Sequence, residues 1–501
     1  EFLANSFGDG DAGLVTVETS KLFISEGAGI FASTSGAGQA GTMNINARES
    51  IDIIGTTPDG RFKSGILTNS FSEAQGAAGN LRIETGRLTI RDGAGVGAAT
   101  FGEADGGTVT VIAGDLVEVL GTSADGKELS NFVTLSQGTG AAGDIEVITK
   151  RLVVRDGGVL STATMQAGRA GRLAIRASDS VELIGTSADG QFPSGLRSDA
   201  SSSSSTSSFL PPPRTDVLGE AGDLTIETGK LIISNGAQVT VSGEGAGAAG
   251  NITVEADLIR LEDGSQINAT TSSQAGGNIN LTTQDLQLRR SSQINTNADN
   301  TDGGNINIDT NTLVALENSD ITANARQGRG GRVSISAQGI FGTEFREEET
   351  EESDITATSE LGPEFIGSVE IKNPEVDPSR GLMKLPIEVV DPTKLIAIGC
   401  AAEVNNRFVV TGRGGLPPDP TQMLNQTAVW IDWRSADLAV NQQQLNDRSP
   451  VSYSPPTTQP IIEAQGWVIN ANGQVELVAD PNRGKVHGSW FVPASCGYRQ
   501  G

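Results

Sequence analysis

The residues that could do chemistry are few in this chain of 501 residues and do not form a recognisable reaction centre. The single histidine, His487, lies in KVHGSW far from any repeated acid, so the spacing indicates no Ser-His-Asp or Cys-His arrangement around it. Two cysteines cannot alone supply the ligands of a usual zinc site. Residues 243–250, GEGAGAAG, lack the Lys-Ser/Thr ending of a phosphate-binding loop. The sequence therefore predicts no catalytic residue, no cofactor and no metal ligand.

The charge balance restricts the partners that the chain can have. Lys and Arg number 35 against 61 Asp and Glu, which gives a formal net charge of −26. Nucleic-acid phosphates and anionic lipid surfaces would be repelled by this charge. No stretch approaches the ~20 apolar residues of a membrane helix. We expect neither nucleic-acid binding nor membrane insertion.

A glycine that precedes an alternating apolar run recurs along the chain. The basic interval is 27 or 28 residues, and longer intervals contain an insertion. Such internal periodicity is typical of solenoid proteins. The aligned glycines are Gly13, Gly41, Gly79, Gly107, Gly143, Gly171, Gly222, Gly250, Gly277, Gly304 and Gly331.

The residues two and four positions after each glycine are apolar, with mostly polar residues between them, as in a strand with one buried face. A second apolar pair and a third run, beginning seventeen residues after the glycine, follow in most repeats. Three short strands per repeat without an intervening helix predict an all-β parallel β-helix over residues 1–372, rising ~4.8 Å per coil. We predict core columns that include Ile252, Val254, Ile279, Leu281, Ile306 and Ile308.

Insertions occur in every second coil at one predicted corner, at residues 55–65, 121–131 and 185–215. Each contains Pro-Asp-Gly or Ala-Asp-Gly, which favours a turn. We expect these loops to line one edge of the solenoid, where binding specificity would be found. The alternative, that they are merely tolerated insertions, stays open. A run rich in glutamate at residues 345–354 is predicted to be a solvated loop rather than a metal site.

The composition changes in residues 373–501. All four tryptophans, both tyrosines, His487 and both cysteines lie beyond residue 390, together with proline clusters at 417–420 and 455–460. We predict a small β or irregular C-terminal region with extended linkers. Residues 466–479, GWVINANGQVELVA, predict a hairpin with Ala-Asn-Gly at its turn.

Four C-terminal segments, residues 373–400, 407–420, 428–434 and 463–479, resemble the terminal signature of large haemagglutinin-like proteins common in cyanobacteria. The repeats resemble the filamentous-haemagglutinin-like exoproteins of two-partner secretion. This resemblance implies a right-handed β-helix, export through an outer-membrane two-partner-secretion transporter, and a location in the medium or on the bacterial cell surface, associated with the outer membrane. The N-terminal secretion domain of the family has no counterpart here, so we expect the sequence to be part of a longer protein.

For an exported protein, Cys400 and Cys496 at either end of one terminal region predict a disulfide. The resemblance further implies that such a cysteine loop tethers the protein to its transporter. A crosslink that only stabilises the region is the equal alternative.

Two functions follow from these observations. The first is a non-catalytic adhesin that attaches to cells, matrix or surfaces through a glycan or protein receptor that the sequence does not name. The second is a carbohydrate-active β-helix enzyme, a polysaccharide lyase or hydrolase, with its site in the loops. Such an enzyme needs converging carboxylates, and the sequence indicates no specific pair.

Overall fold

The computed structural model describes residues 2–201, 219–272, 277–372, 466–469, 471 and 475–478. The chain divides into two compact units, Glu1–Met383 and Lys384–Gly501. In its described part, the first unit consists of strands in two long parallel sheets and one 3-10 turn at Pro363–Phe365. The predicted parallel β-helix is confirmed.

One sheet contains the first two apolar pairs of every coil. Its strands are 10 to 12 residues long except for the last. We call it the long-strand sheet. In hydrogen-bonded order it consists of β2 (Val15–Ser25), β4 (Met43–Ile54), β6 (Leu81–Arg91), β8 (Val109–Leu120), β10 (Ile145–Arg155), β12 (Leu173–Ile184), β14 (Leu224–Ser234), β16 (Ile252–Glu262), β18 (Ile279–Arg289), β20 (Asn305–Leu316), β22 (Arg332–Phe341) and β25 (Ser368–Lys372).

The other sheet contains the third predicted strand of every coil, and we call it the short-strand sheet. None of its strands is longer than six residues. In hydrogen-bonded order it consists of β1 (Phe2–Leu3), β3 (Gly29–Thr34), β5 (Gly65–Ser70), β7 (Gly95–Thr100), β9 (Asn131–Ser136), β11 (Val159–Thr164), β13 (Gly195–Ala200), β15 (Gln238–Gly243), β17 (Gln266–Thr271), β19 (Gln293–Asn295), β21 (Asp320–Thr322), β24 (Ser353–Thr356) and β23 (Thr343–Phe345).

The sequence period is also the hydrogen-bonding register. Ile252 pairs with Ile279, which pairs with Ile306, and each pair joins successive strands. Because equivalent residues stack directly, each column keeps one face of the sheet towards the interior. The six predicted core residues are at most 2% exposed: Ile252, Val254, Ile279, Leu281, Ile306 and Ile308.

The first two predicted strands of each coil are joined into one. In β6, Leu81 and Ile83 are buried, and so are Leu88 and Ile90, although strict alternation would place the second pair on the opposite face. The strand must therefore bend between the two pairs, at a position we call the elbow. Each coil thus contributes two hydrogen-bonded strands instead of three, with the apolar positions unchanged.

A threonine stabilises the elbow in many coils. Thr85 Oγ1 donates a hydrogen bond to the Arg87 carbonyl at 3.1 Å, and Thr310 Oγ1 donates to the Thr312 carbonyl at 3.0 Å. These bonds hold the bend without separating the strand from its neighbours. In β4, β8 and β12, alanine stands at this position, the strand contains 12 residues, and the ladder register shifts there against neighbours of 11 residues.

The aligned glycines lie where the backbones of neighbouring coils approach most closely. A Cβ on Gly107 would be 1.9 Å from the carbonyl oxygen of Gly79, and one on Gly331 would be 1.9 Å from that of Gly304. Only a residue without a side chain fits such an approach. This close stacking explains why the glycine recurs.

The corner from a long strand to the following short strand uses left-handed backbone. Asp92 and Gly93 have φ of 58° and 86°, and the corresponding pairs in other coils are similar. Asp and Gly tolerate this conformation better than other residues.

The glutamate-rich run at residues 345–354, predicted to be a solvated loop, is exposed only in part. Glu347, Glu348 and Glu349 are exposed, but Asp354 is fully buried and forms an ion pair with Arg346. The backbone N–H of Thr350 also donates to the Asp354 carboxylate. The end of the loop is therefore anchored to the solenoid.

The second unit is described at nine residues. There, β26 (Gly466–Ile469) and β27 (Val475–Val478) pair antiparallel, with Trp467 opposite Leu477. These are the two strands of the hairpin that the sequence predicts. The other predicted features of residues 373–501 lie outside the described residues.

Candidate functional site

Three inserted segments fold as hairpins at the corner that follows a long strand. Antiparallel bridges close them between Thr56 and Lys63, Thr122 and Leu129, and Thr186 and Pro193. They replace the two-residue corner in the coils of β4, β8 and β12. We call this row of hairpins, residues 55–64, 121–130 and 185–194, the hairpin edge.

An aspartate stabilises the turn of each hairpin. In the second hairpin, Asp125 Oδ1 accepts hydrogen bonds from Ser123 Oγ at 2.6 Å and from the Lys127 N–H at 3.3 Å. The Ser123 bond, assisted by Lys127, lowers the pKa of Asp125 to about 2. Asp59 and Asp189 make equivalent bonds, and their pKa values are lowered for the same reason. The carboxylates therefore stay ionised and keep the three turns alike.

Each hairpin covers the corner of the coil before it. The Gly93 N–H donates to Ser130 Oγ at 2.9 Å, and Ser130 Oγ donates to the Leu120 carbonyl at 2.7 Å. A Cβ on Gly93 would lie 2.8 Å from the Cβ of Ser123. The corner glycine therefore makes room for the hairpin above it.

The first and second hairpins are joined by a largely buried ion pair. Lys63 Nζ lies 2.9 Å from Glu128 Oε2 and donates to the Leu129 carbonyl at 3.1 Å. The side chains of Lys63 and Glu128 are 20% and 4% exposed. Burial lowers the pKa of Lys63, and the charge of Glu128 opposes that shift. The pair fixes two hairpins that belong to coils two apart.

The outer residues of the hairpins differ in chemistry. Phe62 is 62% exposed, and the side chains of Arg61 and Lys127 are 76% and 71% exposed. The third hairpin has Gln191 at the position of these two cations. The edge thus presents basic, aromatic and amide groups on a strongly acidic protein.

Several sequence predictions concern residues that the structure does not describe. The third insertion is described to Ser201, so its serine- and proline-rich part lies outside the described residues. Cys400 and Cys496 also lie outside them.

The structure singles out one titratable group that sequence reasoning missed. Asp199, in β13, has a pKa raised to about 7, chiefly by burial; Glu244 also raises it, and Arg197 opposes the shift. Glu244 accepts a hydrogen bond from Ser201 Oγ at 2.6 Å. Asp199 is half-buried; its outward position on an alternating strand predicts exposure, so no sequence signal indicates the raised pKa.

No cluster of three or more His, Cys, Asp or Glu in the described ranges is placed to hold a metal ion. Within the same part of the chain, no helix has the length and hydropathy needed to cross a membrane.

Comparison with known proteins gives no match to this chain among protein-family models, curated proteins or solved structures.

Proposed function

We propose that the protein is a non-catalytic, haemagglutinin-like adhesin of the bacterial surface, and that the hairpin edge is its contact surface. The observation that carries this proposal is the repetition of one hairpin conformation along a single corner, in the alternate coils of β4, β8 and β12. Loops on a rigid scaffold are the usual location of binding residues.

The spacing of the hairpins suits an extended receptor. Coils rise ~4.8 Å each, so hairpins in alternate coils are about 10 Å apart along the solenoid. The Lys63–Glu128 pair holds the first two hairpins in a fixed relation, while Arg61, Phe62 and Lys127 extend into solvent. A receptor that contacts several hairpins at once gains avidity without a strong individual contact.

Export and surface attachment belong to the same proposal. The resemblance of the C-terminal segments to haemagglutinin-like exoproteins supports secretion through an outer-membrane transporter as the partner. A Cys400–Cys496 disulfide would tether the chain there or only stabilise its terminal region. Non-reducing peptide mapping should detect the crosslinked peptide, and Cys496→Ser should move protein from cells to medium if the loop is a tether.

Attachment can be tested with beads coated with the full chain and mixed with red blood cells. The combined Arg61→Ala, Phe62→Ala and Lys127→Ala variant should lose about tenfold or more of its agglutination titre, because several contacts are removed together. Phe23→Ala is the matched control, since Phe23 is 66% exposed on the long-strand sheet. Equal loss in both variants, or loss in neither, would contradict the assignment to the hairpin edge.

A second candidate function, a polysaccharide lyase or hydrolase, is favoured by Asp199 alone. A carboxyl group whose pKa is raised to about 7 beside Arg197 and Glu244 has the properties of a general acid or base. Incubation with a panel of acidic polysaccharides, followed by assay of reducing and unsaturated ends, tests this function. Turnover that Asp199→Asn abolishes would replace the adhesin proposal.

A further inference from the structure

We propose that the protein has a second binding site, for an extended glycan that bears amino groups, in a groove along the elbow of β16, β18, β20 and β22. The groove is lined on its two sides by residues such as Glu255, Asp257, Gln284, Asp309 and Asn311. We call it the elbow groove. It lies on the long-strand sheet, separate from the hairpin edge.

The outer surface at the elbow of these strands forms a shallow, open depression. Thr283 and Thr310 form the floor and are 8% and 5% exposed. The single Oγ1–H of Thr283 is shared between the carbonyls of Asp257 and Asp285, at 3.0 and 3.1 Å, and that of Thr310 is shared in the same way. Each threonine thus connects two neighbouring coils, so the floor is rigid.

One side of the groove presents a row of amides and a carboxylate. Gln284 Nε2 donates to Asp257 Oδ1 at 2.9 Å, and Gln338 Nε2 donates to Asn311 Oδ1 at 3.0 Å. Each of these bonds uses one of the two N–H donors of its amide and leaves the carbonyl oxygen of the donating amide available. Oriented polar groups therefore recur at the coil rise of ~4.8 Å.

The charge of the groove distinguishes it from the elbow nearer the N-terminus. There, Glu49 pairs with Lys21 at 3.3 Å, and Asp115 pairs with Lys150 at 2.7 Å. In the groove, Glu255, Asp257 and Asp309 are exposed, and they form no ion pair within the described part of the chain. Lys372 also lines the groove at its β25 end, where it pairs with Glu370 at 3.2 Å. This stretch of the elbow thus combines a concave surface with three carboxylates that form no ion pair in the described residues.

These properties define the ligand. Carboxylates facing a groove favour a cation and repel sulfated or uronic-acid polymers. Recurring amide and threonine groups match a polymer with many hydroxyl groups better than an apolar one. An extended glycan with amino groups satisfies both requirements, and it would contact successive coils with successive sugar units.

The test is isothermal titration of the full chain with the glucosamine hexamer, its N-acetylated form and a lysine hexamer, at low and high salt. The glucosamine hexamer should bind most tightly, and salt should weaken that binding. Asp257→Asn and Asp309→Asn should each reduce affinity by about two- to fivefold, as expected for an exposed charge pair. Asp179→Asn is the matched control, because Asp179 is an exposed elbow residue of β12.

Each alternative result overturns the proposal. Equal binding of the N-acetylated hexamer would show that amino groups are not recognised. Equal binding of the lysine hexamer would show that the groove selects charge alone, as for a basic peptide. Undetectable binding of all three ligands, or an equal loss of affinity in the Asp179→Asn control, would show that the elbow groove is not a binding site. This assay uses soluble ligands and groove variants, so a negative result does not bear on the hairpin-edge proposal. Likewise, a negative agglutination result does not bear on ligand binding in the elbow groove.

Discussion

Lys63 and Glu128 form a largely buried ion pair between hairpins that emerge from coils two apart. The pair is the main charged contact that links one insertion to another in the described residues. It makes the first two hairpins a single structural unit, although the plain coil of β6 lies between them in the chain.

Breaking this pair on one side should be costly. Lys63→Met would remove the Lys63 cation from Glu128, which is 4% exposed, and breaking a buried ion pair on one side typically costs about 3 kcal/mol or more. We expect the loss in denaturant unfolding, with faster hydrogen exchange across residues 121–130. The double variant Lys63→Met, Glu128→Gln should recover much of the loss, and Lys127→Met should have little effect. A Lys63→Met protein as stable as the parent would show that the pair contributes nothing.

The glycine column should tolerate no side chain. Gly107→Ala would place a Cβ 1.9 Å from the Gly79 carbonyl oxygen, and relieving this clash should cost about 1–3 kcal/mol. Gly114→Ala, in the strand β8 that follows Gly107, is the matched control, since its Cβ would meet no atom closer than 3.9 Å. Thermal unfolding of both variants measures the difference. Similar melting temperatures for the two would contradict the close approach.

A charge introduced into a core column should destabilise the fold, whereas a charge introduced on the outer face of the same strand should not. Ile279→Asp would bury an unpaired carboxylate in the core and should cost several kcal/mol. Asn280→Asp, one residue further on the outer face, keeps the Oδ1 that accepts from Asn307 Nδ2 at 2.9 Å. Circular dichroism melting should separate the two variants clearly. If Ile279→Asp melted like the parent, the inward column would be assigned wrongly.

Asp199 should make stability depend on pH between about 4 and 7. Its pKa is raised from 3.8 to about 7 in the folded protein, so the unfolded chain releases this proton first. Stability from this group is therefore complete below pH 4 and falls as the pH rises to 7, by up to about 4 kcal/mol at 1.36 kcal/mol per pKa unit.

The variant Asp199→Asn should remove this contribution. Its stability relative to the parent should rise with pH from 4 to 7 and then level off. Unfolding midpoints across that range measure the effect, with the exposed Asp179→Asn as control. Parallel pH profiles for parent and Asp199→Asn would show that Asp199 titrates normally.

The core was predictable because one spacing rule determines it. Residues 27 apart, such as Ile279 and Ile306, pair directly in the ladder, so the sequence period is the structural register. The elbow was not predictable in the same way. Thr85 and Gly86 suggest a break between strands, but Thr85 Oγ1 bonds to the carbonyl of Arg87 and the ladder continues through the bend.

The candidate site was predictable in position but not in its contacts. Asp-Gly turns mark where the chain leaves the coil, and the hairpins are found there. The Lys63–Glu128 contact depends on how hairpins stack across an intervening coil, which no local pattern encodes. The burial of Asp199 likewise depends on tertiary surroundings, since its place on the strand indicates a solvent-facing residue.

The covered corner glycines also limit how such a chain can evolve. Gly27, Gly93 and Gly157 each lie beneath a hairpin, whereas a Cβ on Gly264, in a coil without one, would meet nothing within 4 Å. A hairpin-bearing coil therefore requires a plain coil before it, with a glycine corner small enough to accept the overhang. Within the hairpin-bearing part, lengthening by gene duplication would preserve this fit only if coils were copied in pairs, beginning at glycines such as Gly41 and Gly107. Deletion of the plain coil of β6 or β10 alone would bring two hairpins into collision, so changes in length between β4 and β12 are expected to come in steps of two coils.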